Sequence, residues 1–393
     1  MNQGSYVFSQ IMEPVARYQF NECVARYHGD YWVKRFSCWD HFLALTFGQL
    51  AFRESLRDIV ICLTAQRNKL YHLGFRSVVA RNTLAHASEK RDWRIYRDYA
   101  LLLIDEARRL YVDESSFADT IGAAVYVIDA SIIELCMGLF PWSRFREYHA
   151  GIKLNVAMDL RGSLPVFFHI SRWNTPDLAF LDHITYEPGS YYVMDRGYVD
   201  FRRMYAIQRA GAFFVNRARR DLRFRRIYSR TIDKTTGVRC DQVIVFTGHY
   251  ARKDYPEKLR RVKYVDQDTG RRYVFLTNNF THDAHVIAEL YRHRWQIELF
   301  FKWIKQHLCI KAFWGRSMNA VKVQICIAIC AYLLVAITKK RLGITRNTYE
   351  ILQILSVSLF DKTPLYQLIS EFQLQNFSLD QQTNQKQPSL WDY

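Results

Sequence analysis

The chain has 393 residues, 49% of them hydrophobic and 15% aromatic, enough apolar side chain for two or three domains with real cores and too much for a disordered protein. Its 55 Lys and Arg against 38 Asp and Glu leave a formal charge of +17, which points to a polyanionic partner, nucleic acid before an anionic membrane surface. The N-terminus MNQGSYVFSQ lacks a basic run followed by an apolar core, so no secretion signal is expected and the expected location is inside the cell.

Residues 1–115 read as a helical domain. Apolar spacing near the helical period recurs in WDHFLALTFGQLAF (39–52) and DWRIYRDYALLLIDEARRL (92–110). Between them, two short helices around a Gly-containing turn, the second opening near Arg81, leave two readings open. One is a helix-turn-helix that reads DNA, the other a plain helical bundle with a basic surface.

From about residue 122 the period changes. AAVYVIDAS (123–131) reads as a buried strand ending in Asp129, and GIKLNVAMDL (151–160) with LPVFFHIS (164–171) as a hairpin joined at Arg161 to Ser163. TPDLAFLDHI (175–184) predicts a short helix with a threonine cap and proline at its first position. SYYVMDRGY (190–198) is another buried strand, ending in Asp195. VYVID and YYVMD resemble each other: each releases one aspartate at its C-terminal end, where open α/β sheets bind ligands. The alternative for either aspartate is the start of a turn or a helix cap.

Residues 196–230 carry eleven arginines and two aspartates, 11 − 2 = +9 of charge, with aromatics interleaved. Arginine without balancing acid repels itself, and phosphate contacts would relieve that repulsion. Arg196, Arg217, Arg219 and Arg220 are therefore candidate nucleic-acid contacts, against the alternative of a solvated charged face. Alternation continues through QVIVFTG (242–248), and RVKYVDQDTGRRYVFLTNN (261–279) predicts a hairpin turning at Asp268 to Gly270.

HVIAELYRHRWQIELFFKWIKQH (285–307) predicts one long helix capped by Thr281. At about 100° per residue, Tyr291, Arg294, Glu298 and Lys305 share one stripe. Arg294 and Glu298 are also an i, i+4 pair, Tyr291 fits a core position and Lys305 a solvated one. The apolar run Ile325 to Ile337 is shorter than the roughly 18 to 20 residues that cross a bilayer, and reads as a buried helix. Eight scattered cysteines, Cys309 among them, read as reduced, packed thiols. After two short amphipathic segments, the polar tail from about Gln375 is expected to be disordered. Asp129, Asp195 and Glu298 together would suit two Mg²⁺ ions, hard cations that take carboxylate oxygens and perform phosphodiester chemistry.

Tyr291, two residues, Arg294, three residues, Glu298, six residues, Lys305 matches the Tyr-Arg-Glu-Lys signature of DDE transposases of bacterial insertion sequences, in the insertion sequence four family. The Ala/Val/Ile strand before Asp129, the Asp195-Arg196-Gly197-Tyr198 block and the N-terminal segment through FSCWDHFLALTFGQLAFRESLRDI resemble the same family, to about residue 345. The resemblance implies an α/β, ribonuclease H-like mixed sheet of order 3-2-1-4-5. It would lie in a catalytic domain at 116–345, with a β-rich insertion at about 216–279, between the helical DNA-binding domain 1–115 and a helical C-terminal region 346–393. It assigns catalysis and the binding of two Mg²⁺, or Mn²⁺ in their stead, to Asp129, Asp195 and Glu298, and DNA-end contacts to Tyr291, Arg294 and Lys305. Recognition of terminal inverted repeats would fall to the insertion and to the N-terminal domain, with Arg81. The implied partners are double-stranded DNA, as transposon ends and target, and a second copy of the chain on that DNA, with neither membrane nor small-molecule substrate; the implied location is the cytoplasm, on the bacterial nucleoid. One departure concerns the tryptophan that stacks a flipped base in some members. No tryptophan lies between Trp173 and Trp295, so Tyr264, Tyr273 or Phe275 would take that part. A catalytically inactive DNA-binding derivative and a nuclease without strand transfer are the alternatives.

Overall fold

The computed structural model describes residues 4–113, 120–146, 149–307 and 313–370; Cys309 and the tail expected to be disordered lie outside them. The chain forms two compact units, residues 1–110 with 305–393, and residues 111–304.

In chain order the elements begin with helices α1 (Val7–Met12), α2 (Arg17–Arg26), α3 (Cys38–Leu50), α4 (Leu56–Ala65), α5 (Arg81–Lys90) and α6 (Arg94–Tyr111). Strands β1 (Val125–Glu134), β2 (Arg144–Arg146), β3 (His149–Asp159), β4 (Leu164–Arg172) and β5 (Tyr191–Met194) follow, then α7 (Phe201–Arg209) and β6 (Phe213–Arg217). Next come β7 (Phe224–Ser229), β8 (Val238–Phe246), α8 (His249–Asp254), β9 (Leu259–Val265) and β10 (Arg272–Thr277). The chain continues with α9 (Ala284–Arg292), α10 (Trp295–His307), α11 (Met318–Arg341) and α12 (Thr348–Ser358).

In the helical unit, α3 and α4 start at reciprocal capping boxes, Ser37 with Asp40 and Ser55 with Asp58, which satisfy orphan N–H groups at each helix start. Every residue of α3 is buried, as is α11 through most of Ala320 to Thr338. A helix that is apolar all round must be covered on all sides, and α1, α3, α5 and α12 pack against α11. That requirement explains why the chain from Lys305 onward joins residues 1–110, whereas sequence alone assigns 116–345 to one domain. The helix is also longer than its apolar run: at 24 residues it has the length and composition to cross a bilayer, but 89% of its most apolar window is buried inside the protein. Of the two readings left open between α4 and α5, the described residues favour the plain helical bundle over a tight helix-turn-helix. Gln66 to Ala80, with a 3₁₀ turn at Leu70–Leu73 and Gly74 at φ +89°, separate α4 from α5, more chain than the three or four residues such a motif uses.

The second unit is built on one sheet, ordered β2-β3-β1-β5-β6-β10-β9-β8-β7, with β4 also paired to β3. The first four strands of the sequence reading are β1, β3, β4 and β5, and β6 lies beside them. They pair β4 to β3 and β3 to β1 antiparallel, then β1 to β5 and β5 to β6 parallel. VYVI of β1 and YYVM of β5 are at most 2% exposed, the continuous apolar run that strands covered on both faces require. Each such side chain contributes roughly 1.5 to 3 kcal/mol on burial. Tyr126, Ile128, Tyr192, Met194 and Phe214 meet Met204 and Ile207 of α7 on one face.

The Arg-rich segment extends the sheet instead of standing apart from it, because β10 pairs antiparallel with β6, Phe275 opposite Arg217 and Thr277 opposite Val215. β7 is the terminal strand, with Arg225 to Ser229 all exposed. Two local expectations fail. TPDLAFLDHI forms a 3₁₀ helix, Asp177–His183, without a side-chain cap at its start. Thr281 does not cap the later helix; α9 starts after Asp283, and the Thr281 hydroxyl is held by Asn279.

Candidate active site

The parallel pairing of β1 with β5 ends at Ile128 opposite Met194, so Asp129 and Asp195 are the next residues on adjacent strands. Neighbouring strands lie about 4.8 Å apart, and alternation puts both carboxylates on the face opposite Tyr126 and Tyr192. Asp195 sits at its strand end as expected. Asp129 does not: β1 runs on to Glu134 because its antiparallel partner β3 continues past it, from Val156 opposite Asp129 to Gly151 opposite Glu134.

The stretch expected as one helix is two, α9 and α10, joined through His293 and Arg294. There the hydrogen bonds tighten to i, i−3: the N–H groups of Arg294, Gln296 and Ile297 reach Tyr291, His293 and Arg294. The tightening turns Arg294 toward the sheet. Its Nη1 lies 3.1 Å from Asp129 Oδ2, and its Nη2 donates to the Glu298 carboxylate. The Tyr291 hydroxyl donates to Asp195 Oδ1 at 3.0 Å. Five of the predicted residues, Asp129, Asp195, Tyr291, Arg294 and Glu298, thus form one site.

Burial sets its electrostatics. Asp129 is pushed up to about 6, first by desolvation, opposed by the Ala130 N–H and Arg294, and raised further by the Glu298 and Asp195 charges. Tyr291 is raised by burial and by the Asp195 carboxylate. Arg294 is partly buried, and although burial opposes its charge, the Glu298 hydrogen bond with Tyr291 and Asp129 holds it firmly protonated. Its Nε is buried without a hydrogen-bond partner.

Asp129 also gives a stability prediction. A folded pKa above the ordinary carboxylate value means stability fully present below about pH 4 and lost as pH rises through 6. In EDTA, Asp129→Asn is therefore expected to gain about 2 to 3 kcal/mol over the wild type between pH 4 and pH 7. Denaturant titrations at both pH values check this; a constant difference would contradict it.

The donor chemistry fits a hard divalent cation: three carboxylates, all oxygen, with mutual repulsion at Asp129 that a cation would relieve. Among the described residues, no three His, Cys, Asp or Glu side chains are gathered into a ligand set. The Arg294 guanidinium lies between Asp129 and Glu298 instead.

The other predicted residues lie around or apart from this site. Arg217 stacks over Tyr273, 5.1 Å from the ring centroid, and Tyr273 stacks on Phe275, which packs 4.8 Å from Tyr291. Phe275 is 1% exposed, a core residue with no face for a base, whereas Tyr264 and Tyr273 are half-buried. Arg196 lies in the 3₁₀ turn after Asp195, and Arg219 and Arg220 are exposed on the connection after β6. Lys305 continues α10 beyond Glu298, and Arg81 is the exposed first residue of α5 in the other unit.

Two residues escaped sequence reasoning. Tyr198 is buried with its hydroxyl unpaired, and its pKa is raised by burial and then by Asp129, Asp177 and Asp195. Its place in the Asp195-Arg196-Gly197-Tyr198 block was the available signal. Trp295, 49% exposed, stands one helical turn before Glu298, and no sequence pattern marks it.

Residues 121–334 match the transposase DDE domain family, and residues 3–76 match a domain of unknown function. A putative transposase of Sinorhizobium fredii is 33% identical over 245 residues, 61% of this chain and 68% of that protein. A probable transposase for insertion sequence element IS5377 of Geobacillus stearothermophilus is 28% identical over 211 residues, 53% of this chain and 55% of that protein. A putative transposase for element IS4SA of Synechocystis is 23% identical over 280 residues, 69% of this chain and 75% of that protein. Among solved structures, the piggyBac transposase synaptic complex with hairpin DNA aligns over 98% of this chain and 86% of that one, at 12% identity and a TM-score of 0.45.

Proposed function

The chain belongs to the DDE transposases of insertion sequence elements, and from that premise we propose that it binds the terminal inverted repeats of its element, cuts DNA and joins the freed end to a target. The observation that carries the reading is the convergence of Asp129 and Asp195, from adjacent parallel strands, with Tyr291, Arg294 and Glu298 from the helices laid over them. The pairing β4-β3-β1-β5-β6 supports a ribonuclease H-like core, and the spacing from Tyr291 to Lys305 supports membership of the insertion sequence four family.

Asp129, Asp195 and Glu298 would hold the divalent cations, Mg²⁺ with Mn²⁺ as a substitute, which supply Lewis-acid activation of water or a 3′-hydroxyl and stabilise the leaving oxygen. The protein's own groups do the rest. Arg294, released from its carboxylates, pairs bidentately with a phosphate, since guanidinium matches phosphate as well as carboxylate geometry. Tyr291 keeps Asp195 oriented through its hydroxyl. Arg196, Arg217, Arg219, Arg220 and Lys305 neutralise further phosphates, and pairing two ends calls for a dimer on DNA on the nucleoid.

Strand transfer separates this reading from a nuclease or an inactive DNA-binding derivative. A pre-cut duplex ending in the element's inverted repeat, incubated with the protein, Mg²⁺ and a supercoiled plasmid, is expected to become covalently joined to the plasmid. Cleavage without joining supports the nuclease, and binding without either supports the inactive derivative.

A further inference from the structure

The helical unit carries a second basic site with different chemistry. A cleft of about 900 Å³ opens between the loop Tyr27 to Phe36 and α5. Lys34 and Arg35 on the loop and Lys90 on α5 line it, all exposed, and among the described residues none of the three makes an ion pair. Asp92, an acid at the rim, is already spent on Arg94, which it accepts at 2.6 to 3.0 Å. The cleft therefore offers unbalanced positive charge.

The loop presents aromatics as well as charge. Trp32 is 83% exposed and Tyr31 70%, their rings 5.3 Å apart and edge-on. Trp32 sits at φ +60° and His28 at φ +50°, left-handed backbone that a bulky residue seldom adopts and that a fold retains where its surroundings enforce it. Here they do. Asp30 accepts from the Cys38 N–H at 2.7 Å, and Arg91 donates to the carbonyls of Phe36 and Ser37 while stacking over the Phe36 ring. Gly29 lets the loop lie against α6: a Cβ there would meet Ile95 at 2.5 Å and Cys38 at 2.9 Å. A braced loop that holds a tryptophan in water, in strained backbone, beside unpaired cations is built to meet a partner with phosphates and flat apolar faces.

We propose that this cleft is a duplex-DNA-binding site in which Lys34, Arg35 and Lys90 contact phosphates and Trp32, with Tyr31, packs against sugar or base in a groove. The site lies largely in the segment matched by the family of unknown function and gives that segment a role. The inference rests on the reading that the chain acts on DNA. It differs from the contact that a helix-turn-helix would make, because the loop and not α4 forms the opposite wall.

The test uses the full chain in EDTA and a fluorescein-labelled random-sequence duplex of about 30 base pairs, with anisotropy read across a salt series. Replacing Lys34, Arg35 and Lys90 by glutamine is expected to flatten the slope of log affinity against log salt by about 2.7, since each phosphate contact contributes about 0.9. Lys90→Gln alone should flatten it by about a third of that. Trp32→Gly is expected to weaken binding about tenfold without changing the slope, while leaving the thermal midpoint unchanged or higher because glycine relieves the left-handed backbone. Wild-type slope and affinity in every variant would overturn the proposal while leaving the function reading intact. The same series run on one strand of that duplex alone separates the classes, and a loss confined to this single-stranded probe would overturn the duplex assignment. Failure of the wild type to bind any DNA would remove the function reading and this site with it.

Discussion

Asp129→Asn, Asp195→Asn and Glu298→Gln are each expected to lower DNA nicking by about 10³-fold or more while leaving affinity for the element's ends unchanged or slightly raised. The magnitude follows from losing an oxygen proposed to hold the cation, at a centre where such electrostatic stabilisation would supply several kcal/mol, at about 1.4 kcal/mol per tenfold. The affinity expectation follows from charge, since each variant removes a negative group near the phosphate. Asp129 and Asp195 approach the same point from adjacent strands, and Glu298 is tied to Asp129 through the Arg294 guanidinium. Nicking rate and end affinity, measured separately, check the split. A variant that cuts at the wild-type rate would remove its residue from the site.

The second large effect concerns what holds the site's helices in register with the sheet. Arg260, 1% exposed, donates to both oxygens of Asp241, 3% exposed, at 2.9 and 2.7 Å. Its Nη1 also donates to the carbonyl of His282, at 2.5 Å, in the segment that leads into α9. The nearest second cation is Arg230, 3.8 Å from Asp241. Arg260→Met would strand a buried carboxylate, at a cost of about 3 to 5 kcal/mol, and free the approach to Tyr291 and Arg294. In a unit of this size that corresponds to a fall in thermal midpoint of roughly 10 °C. Asp241→Leu alone should lose a similar amount by stranding the guanidinium, whereas Arg260→Met with Asp241→Leu should recover much of it, since an apolar pair needs no partner. Calorimetry of the three variants decides. A double variant no better than the singles would mean that the pair acts through packing alone.

The strand pattern was legible because burial on both faces writes itself as an unbroken apolar run, VYVI and YYVM, and because each run releases an acid where parallel pairing stops. Asp129's position inside a longer strand was not, since what prolongs β1 is its partner β3, some twenty residues away in sequence. The stripe from Tyr291 to Glu298 was read from one ideal helix. In the structure the acids are reached through a tightened turn at Arg294, a local change in hydrogen bonding that spacing does not encode. The return of the chain from Lys305 to the first helical unit depends on which surfaces cover α11, a long-range choice. Trp32 gave no signal either, because its significance lies in exposure and backbone angle and not in its neighbours in sequence.

The most direct measurement is cleavage itself. The full chain, incubated with an end-labelled duplex that spans one terminal repeat of its element and the flanking DNA, is read on a denaturing gel with Mg²⁺ and with EDTA. The expected result is a single Mg²⁺-dependent cut at the repeat boundary that leaves a 3′-hydroxyl, absent in EDTA and absent when Asp129, Asp195 and Glu298 are replaced together. No cut, or a cut that persists in that triple variant, would contradict the assignment of these three acids to the cleavage centre.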